Sequence, residues 1–523
     1  MNVRHVGKWC VVGTLLALSL NASNKAASAQ PVPVDTEEGV QVLTRGPVHE
    51  AFAETVTFDP EPGILVPKEP PAAIEELPPD QRPEGDNVTW IPGYWAWDDE
   101  RSDFLWVSGI WRALPPGRQW VPGYWSRSSQ GYQWTSGYWA DVEASEVEYL
   151  PEPPASVEVG PNIAASSADQ TWLPGCWIWQ QSRYAWRPGF WATVEPDWVW
   201  VPAHYVWAPR GYVFVDGYWD YSIGRRGMLF APVYFKSNVY AQRGFSYSPK
   251  TVIDLGVFVN HLFLRPQYRH YYFGDYYAAN YQTAGFYPSH SYNSGRYGYD
   301  PIYAHQRWRH RQDGQWEHRV AADFQNRRDH EDARPLRTWA AQRALGTSEA
   351  RARERGLVVA APLSQFTRSP NSPLRFQPVD QLERQKLGQH GQEVQRFREE
   401  RRRLETPAAA TSAVPRSKDF APARVPLPRS PVVSRPVREL GQGHAPPRKH
   451  EASKPDPTVE PKPRAARSQQ PQQHGMSRLP PDTAQPKPQP HPRIERPAPQ
   501  AQPRVERPAP RRGPEPKADR PAP

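Results

Sequence analysis

Cysteine is almost missing from this chain, with only Cys10 and Cys176 among 523 residues. Cys10 opens an apolar stretch that has the build of an export signal, so the mature protein keeps one thiol. That excludes an internal disulfide and a cysteine-ligated metal cluster, and leaves packing to hold the fold. Cys176 occupies a repeat position where other copies carry Tyr, which fits a small buried apolar residue better than a reactive thiol. Long apolar runs are missing too. The run from Cys10 to Leu20 is about 11 residues, against the roughly 20 that a membrane span needs. It follows Arg4 and Lys8 and precedes Ala27-Ser28-Ala29, a small-residue cleavage site ahead of Gln30. Residues 1–29 therefore read as a signal peptide, with an uncleaved anchor as the competing reading. The remaining chain is expected to be exported to the periplasm, the cell envelope or the exterior, with no transmembrane span. Signature motifs of catalysis are also absent: no Gly-x-Ser-x-Gly, phosphate-binding loop, dinucleotide fingerprint or His-Glu-x-x-His occurs. An enzyme is the least expected class, and no cofactor is implied.

Tryptophan is abundant instead, with 22 residues, and most of them are phased. The hexamer Trp-x-x-Gly-x-Trp recurs eight times, opening at Trp90, Trp106, Trp120, Trp134, Trp172, Trp186, Trp200 and, with Phe replacing Trp, at Phe214. Most steps are 14 or 16 residues, the length of one strand plus one turn. The polar runs between copies, such as Asp98 to Asp103 and Ser126 to Gly131, have turn chemistry. Consecutive strands joined that tightly are antiparallel neighbours. The two Trp of a hexamer are five apart, which in a regular strand puts them on opposite faces. One bulged residue at Pro-Gly, Ser-Gly or Asp-Gly, with Gly at positive φ, would restore parity. The competing geometry makes Pro-Gly itself a hairpin turn. With the bulge, the aromatics flanking the polar turns face each other: Trp97 with Phe104, Trp179 with Tyr184, and Trp207 with Tyr212. These six are the candidate packing or binding positions.

The expected fold is mainly β, an antiparallel meander of short bulged strands in two four-strand modules, residues 90–140 and 172–220. An acidic proline-rich linker, 141–171, separates them. Flanking them are an acidic, disordered segment at 30–89 and a β and tyrosine-rich extension at 221–303, whose part from 268 reads as irregular. Residues 304–405 carry narrow apolar stripes (Trp316, Val320 and Phe324; Leu387, Val394, Phe397 and Leu404) that predict exposed, charged helices. Residues 406–523, with 29 prolines and 22 basic against 10 acidic residues, read as a disordered basic tail.

At Trp120-Val-Pro-Gly-Tyr-Trp125 and Tyr132-Gln-Trp-Thr-Ser-Gly-Tyr-Trp139 the chain resembles the exported bacterial YXWGXW or WXXGXW repeat proteins. The resemblance covers about 90–220. It implies an exported, envelope-associated repeat protein and supplies no catalytic residues. Copy seven departs from the pattern at Ala203, His204 and Tyr205.

Two functional classes remain. In the first, the aromatic strands are the core of a structural or interaction scaffold of the envelope. In the second, exposed Trp faces stack on the sugar rings of a polysaccharide or cell-wall polymer. Phased Trp favours packing, and an exposed coplanar row would favour the second. Export argues against a nucleic-acid partner for the basic tail, leaving anionic envelope polymers or envelope proteins. His261 and His270 lie near Asp254 and Asp275 in sequence, but the spacing fits no dedicated metal motif.

Overall fold

The eight hexamers fold as four hairpins, each built from two consecutive copies. In the first, Val88–Ile91 pairs with Ile110–Ala113 and Tyr94–Asp98 pairs with Asp103–Val107. Trp90 thus stands opposite Trp111, and Trp95 opposite Trp106. The second, third and fourth hairpins repeat this with Trp120–Trp139 and Trp125–Trp134, Trp172–Trp191 and Trp177–Trp186, and Trp200–Trp219 and Tyr205–Phe214. The computed structural model describes residues 39–292, 297–368, 374–406 and 422–437.

The mainly β, antiparallel class holds, and the kinks fall at the x-Gly pairs. The local device differs from the expected bulge. Ile91 faces Ile110 and Tyr94 faces Val107, so two residues intervene on both strands and neither gains an extra one. The ladder breaks symmetrically, and each hexamer is two short strands in different sheets. Gly137 and its equivalents do not adopt positive φ. They are glycines because the partner Trp ring leaves no room: a Cβ on Gly137 would sit 2.5 Å from a Trp120 ring carbon, and one on Gly189 equally close to Trp172. The meander is also interrupted between hairpins. Ile110–Ala113 takes Gly227–Met228 on its free edge rather than the next copy.

Several segments expected to be irregular are ordered. The acidic stretch, from Gly39 on, contributes short strands to several sheets. Val40–Val42 pairs with Val233–Phe235, Leu65–Val66 with Gly131–Thr135, and Gln81–Pro83 with Phe376–Pro378. Val48, Ala51, Phe52 and Val56 are completely buried. Too polar to make a core alone, the segment is folded by inserting its few apolar residues into the core of others. Part of the linker, Glu146–Leu150, is a strand between Gly211–Val215 and Ala423–Pro426. The tyrosine-rich stretch forms short strands and helices around a buried cluster of Phe263, Tyr272, Tyr276, Tyr277, Tyr281 and Phe286.

Helix Trp316–Asp329 is exposed except along its apolar stripe, where Trp316, Val320 and Phe324 are partly buried and Phe324 packs on Phe263 and Tyr277. Helix Gln381–Glu405 is not, because Gly388, Gly391, Val394 and Phe397 are buried and so are Arg401 and Glu405. The tail also departs from expectation: residues 422–437 dock, with Ser430, Val432 and Ser434 buried against the second hairpin. The signal segment and residues 438–523 lie outside the described residues. Among the described residues, no helix is long and apolar enough to cross a membrane.

Candidate functional site

Breaking a ladder leaves backbone N–H and C=O groups without strand partners, and burial makes those groups costly unless something else bonds them. In three hairpins the N–H groups are answered by a carboxylate from an acidic segment. Glu76 accepts from Gly93 N at 2.7 Å, Gly109 N at 2.9 Å and Trp106 Nε1 at 3.0 Å. Glu50 accepts from Gly137 N and Trp134 Nε1, both at 3.0 Å. Glu158 accepts from Gly175 N and, at 3.1 Å, from Trp172 Nε1. In each of the three, the first Trp and the Gly of one hexamer bond one carboxylate, and in the first hairpin Gly93 of the other hexamer joins them. This gives Trp-x-x-Gly a chemical meaning beyond packing, since the indole N–H and the kink amide converge on an anion.

Where copy seven departs from the pattern, the clasp changes hands. Glu54 is held at the fourth hairpin by His204 Nε2 at 3.1 Å and Tyr218 Oη at 2.9 Å. Glu50 and Glu54 sit on one turn, so residues 49–54 join the second and fourth hairpins. Arg112 Nε and Arg226 Nη1 cap that turn through the carbonyls of Ala51 and Phe52, and Arg112 grips buried Asp220 at 2.6 Å to both oxygens. The kink carbonyls need donors in turn. Arg401 supplies them at the second hairpin, 2.9 Å from Pro122 O and from Ser136 O. Its own charge is met by Glu405, which also accepts from Tyr124 and Tyr149 hydroxyls. Burial pushes the carboxyls of Glu50 and Glu76 up to about 7, while the N–H donors pull them back down.

The six positions expected from the sequence do pair: Trp97 faces Phe104, Trp179 faces Tyr184, and Trp207 faces Tyr212. The structure does not gather the three pairs into one platform. Trp97, Phe104, Trp207 and Tyr212 are buried, whereas Trp179 and Tyr184 are only partly buried. That contrast extends through the third hairpin, where Trp172, Trp177, Trp186 and Trp191 are all only partly buried. Their rings meet edge to face at 70–71°, not as a coplanar row.

Across this face lies the stretch 151–163. Tyr184 Oη donates to Pro151 O, Trp177 Nε1 to Ala155 O at 3.1 Å, and Trp191 Nε1 to Ile163 O at 2.9 Å, with the Glu158 clasp between them. The first hairpin treats its acidic segment alike, with Trp95 Nε1 donating to Ala72 O at 2.9 Å. The two occupants share a signature, Glu69-Pro-Pro-Ala-Ala-Ile-Glu75 and Glu152-Pro-Pro-Ala-Ser-Val-Glu158. The clasped acid is Glu158 in one and the following residue, Glu76, in the other. Sequence reasoning missed these acids, and this repeated tract was the signal that could have found them.

The remaining candidates are accounted for locally. Cys176 is buried, and burial pushes its thiol up to about 12. His261 bonds Tyr277 Oη and Gly356 O, while His270 bonds Tyr94 Oη, so the structure does not bring them together. Burial depresses them to about 3 and about 4. Among the described residues, no group of three or more His, Cys, Asp or Glu side chains converges as a metal site would require. A cleft of about 700 Å³ opens beside Asp197, Arg225, Asp254, His290 and Arg309. Arg225 is paired to Asp197, and Asp254 caps a helix.

No curated protein and no solved structure matches the chain. The model of the WXXGXW repeat matches residues 85–112, 120–140, 169–192 and 196–220, one match to each kinked hairpin. With the repeat unit, its phasing and its paired geometry in agreement, the 85–220 region of this chain belongs to the WXXGXW repeat family.

Proposed function

We propose that this protein is a non-catalytic, exported scaffold of the cell envelope, in which the aromatic repeats are a rigid frame and peripheral segments make the contacts. One observation carries the reading. Most Trp rings of the first two hairpins are turned on the chain's own core, and the clasps there are filled by its own acids: Trp90, Trp106, Trp111, Trp120 and Trp139 are at most 2% exposed. A packed aromatic face cannot stack on a sugar. The basic residues beyond 437 supply an arm for anionic envelope polymers or acidic envelope proteins, held by charge and weakened by salt. A second reading, a polysaccharide-binding module, is favoured by the partly exposed rings of the third hairpin.

A binding screen separates the two. The full chain and a chain ending at 437 are titrated against neutral and anionic envelope polysaccharides at low and high salt. The scaffold reading expects salt-sensitive binding to anionic polymer that is lost on truncation. Saturable, salt-insensitive binding to a neutral glycan, abolished by Trp179→Ala, would replace it with the second reading.

A further inference from the structure

The third hairpin differs from the other three in how it holds its acid. Glu50 and Glu76 are sealed in the interior, and Glu76 is further fixed because Glu75–Glu76 pairs with Ser246–Tyr247. Glu158 comes from a stretch with no strand or helix between 151 and 169. Its neighbours Val157, Val159 and Ile163 are 54%, 79% and 67% exposed, so the occupant lies on the surface. It is held from below by five donors: a tyrosine hydroxyl, three indole N–H groups and one glycine amide. Three of the five go to main-chain carbonyls, which any sequence offers. The requirements on the occupant are therefore an extended backbone, which consecutive prolines pre-set, and one carboxylate at the right distance.

We propose that the third hairpin is a receptor for an acidic, proline-rich peptide of the Glu-Pro-Pro-Ala-x-x-Glu kind. Residues 151–163 are its resident occupant, and the same segment of a second copy takes their place in trans. The inference deepens the scaffold reading by naming one of its contacts. The signature recurs at 69–75, where the matching indole of Trp95 bonds Ala72 O as Trp177 bonds Ala155 O, although there the clasped acid is the next residue, Glu76. A second copy is the occupant because it brings the same segment, and exchanging identical elements reproduces every contact at low cost.

The test uses a labelled peptide of residues 151–163 and the full chain carrying Glu158→Ala, which weakens the resident segment. Saturable binding of one peptide per chain is expected. Binding should be about ten-fold weaker when the peptide carries Glu158→Ala, or when the receptor carries Trp172→Phe, since each removes charge-assisted hydrogen bonds. The wild-type chain should bind the peptide more weakly than the Glu158→Ala chain, because its own segment competes at high effective concentration. Circular dichroism on each variant confirms folding. No saturable binding by the folded Glu158→Ala chain, or equal binding of a scrambled peptide, would overturn the receptor. Sedimentation of the wild-type chain over a range of concentrations tests the source. A reversible dimer dissolved by excess peptide is expected, and a chain that binds peptide yet stays monomeric would overturn the second copy as occupant. Loss of polysaccharide binding, by contrast, bears on the scaffold reading alone.

Discussion

An indole N–H is the smallest unit on which this fold turns. Trp134 Nε1 bonds buried Glu50, whereas Trp90 Nε1 is buried without a hydrogen-bond partner. Both rings are almost wholly buried, so Trp→Phe removes similar packing at each. Trp134→Phe should cost about 1 to 3 kcal/mol more than Trp90→Phe in denaturant unfolding, the penalty for leaving a buried acceptor short of a donor. Equal losses would mean that the clasp adds nothing to packing. The same carboxyls make a pH prediction. Glu50 and Glu76 are raised to about 7 in the folded chain, above the ordinary carboxyl value of 4.5. Folding therefore favours their protonated forms, so their contribution to stability is complete below about pH 4.5 and is lost as pH rises through about 7. The indole resonances of Trp106 and Trp134 should titrate with midpoints near 7 in ¹H–¹⁵N spectra. Flat profiles between pH 5 and 8 would contradict this.

At the scale of the element, the kinked hairpin explains why Gly is kept between two Trp. Gly137→Val should destabilise the chain by about 1 to 3 kcal/mol by driving a side chain into Trp120 and the backbone of Gly123, whereas exposed Ser129→Val should stay within about 0.5 kcal/mol. Similar thermal unfolding of the two variants would remove the steric account. The hairpins were legible because turn residues and Trp spacing are local signals, and Trp97–Phe104 follows from them directly. The clasps were not, because Glu50 and Gly137 are 87 residues apart and composition reports only that the acidic stretch cannot fold alone. The apolar stripe of 381–405 was legible as well. Its burial was hidden because Arg401 and Glu405 look like solvent-facing charges until the kink carbonyls and tyrosine hydroxyls that satisfy them are in place.

For the whole molecule, the frame is closed from both ends. Residues 39–89 pair with strands as far apart as Gly131–Thr135, Val233–Phe235 and Phe376–Pro378, and residues 422–437 add Ala423–Pro426 to the strand Glu146–Leu150 and bury Val432. A chain ending at 437 should keep the melting transition of the full protein, while one ending at 406 should melt several degrees lower, because it loses a strand and its side-chain bonds to Gln119 and Trp120. Identical melting of both truncations would mean that the docked segment is dispensable. The central claim, that Trp-x-x-Gly works as a carboxylate clasp and not only as aromatic packing, is tested most directly by a double-mutant cycle on the second hairpin. Glu50→Gln and Trp134→Phe are made singly and together in the full chain, and unfolding free energies are measured at pH 8. A coupling of about 1 kcal/mol or more is predicted, with none for Glu50→Gln paired with Trp90→Phe. Additive losses for Glu50 and Trp134 would contradict the account.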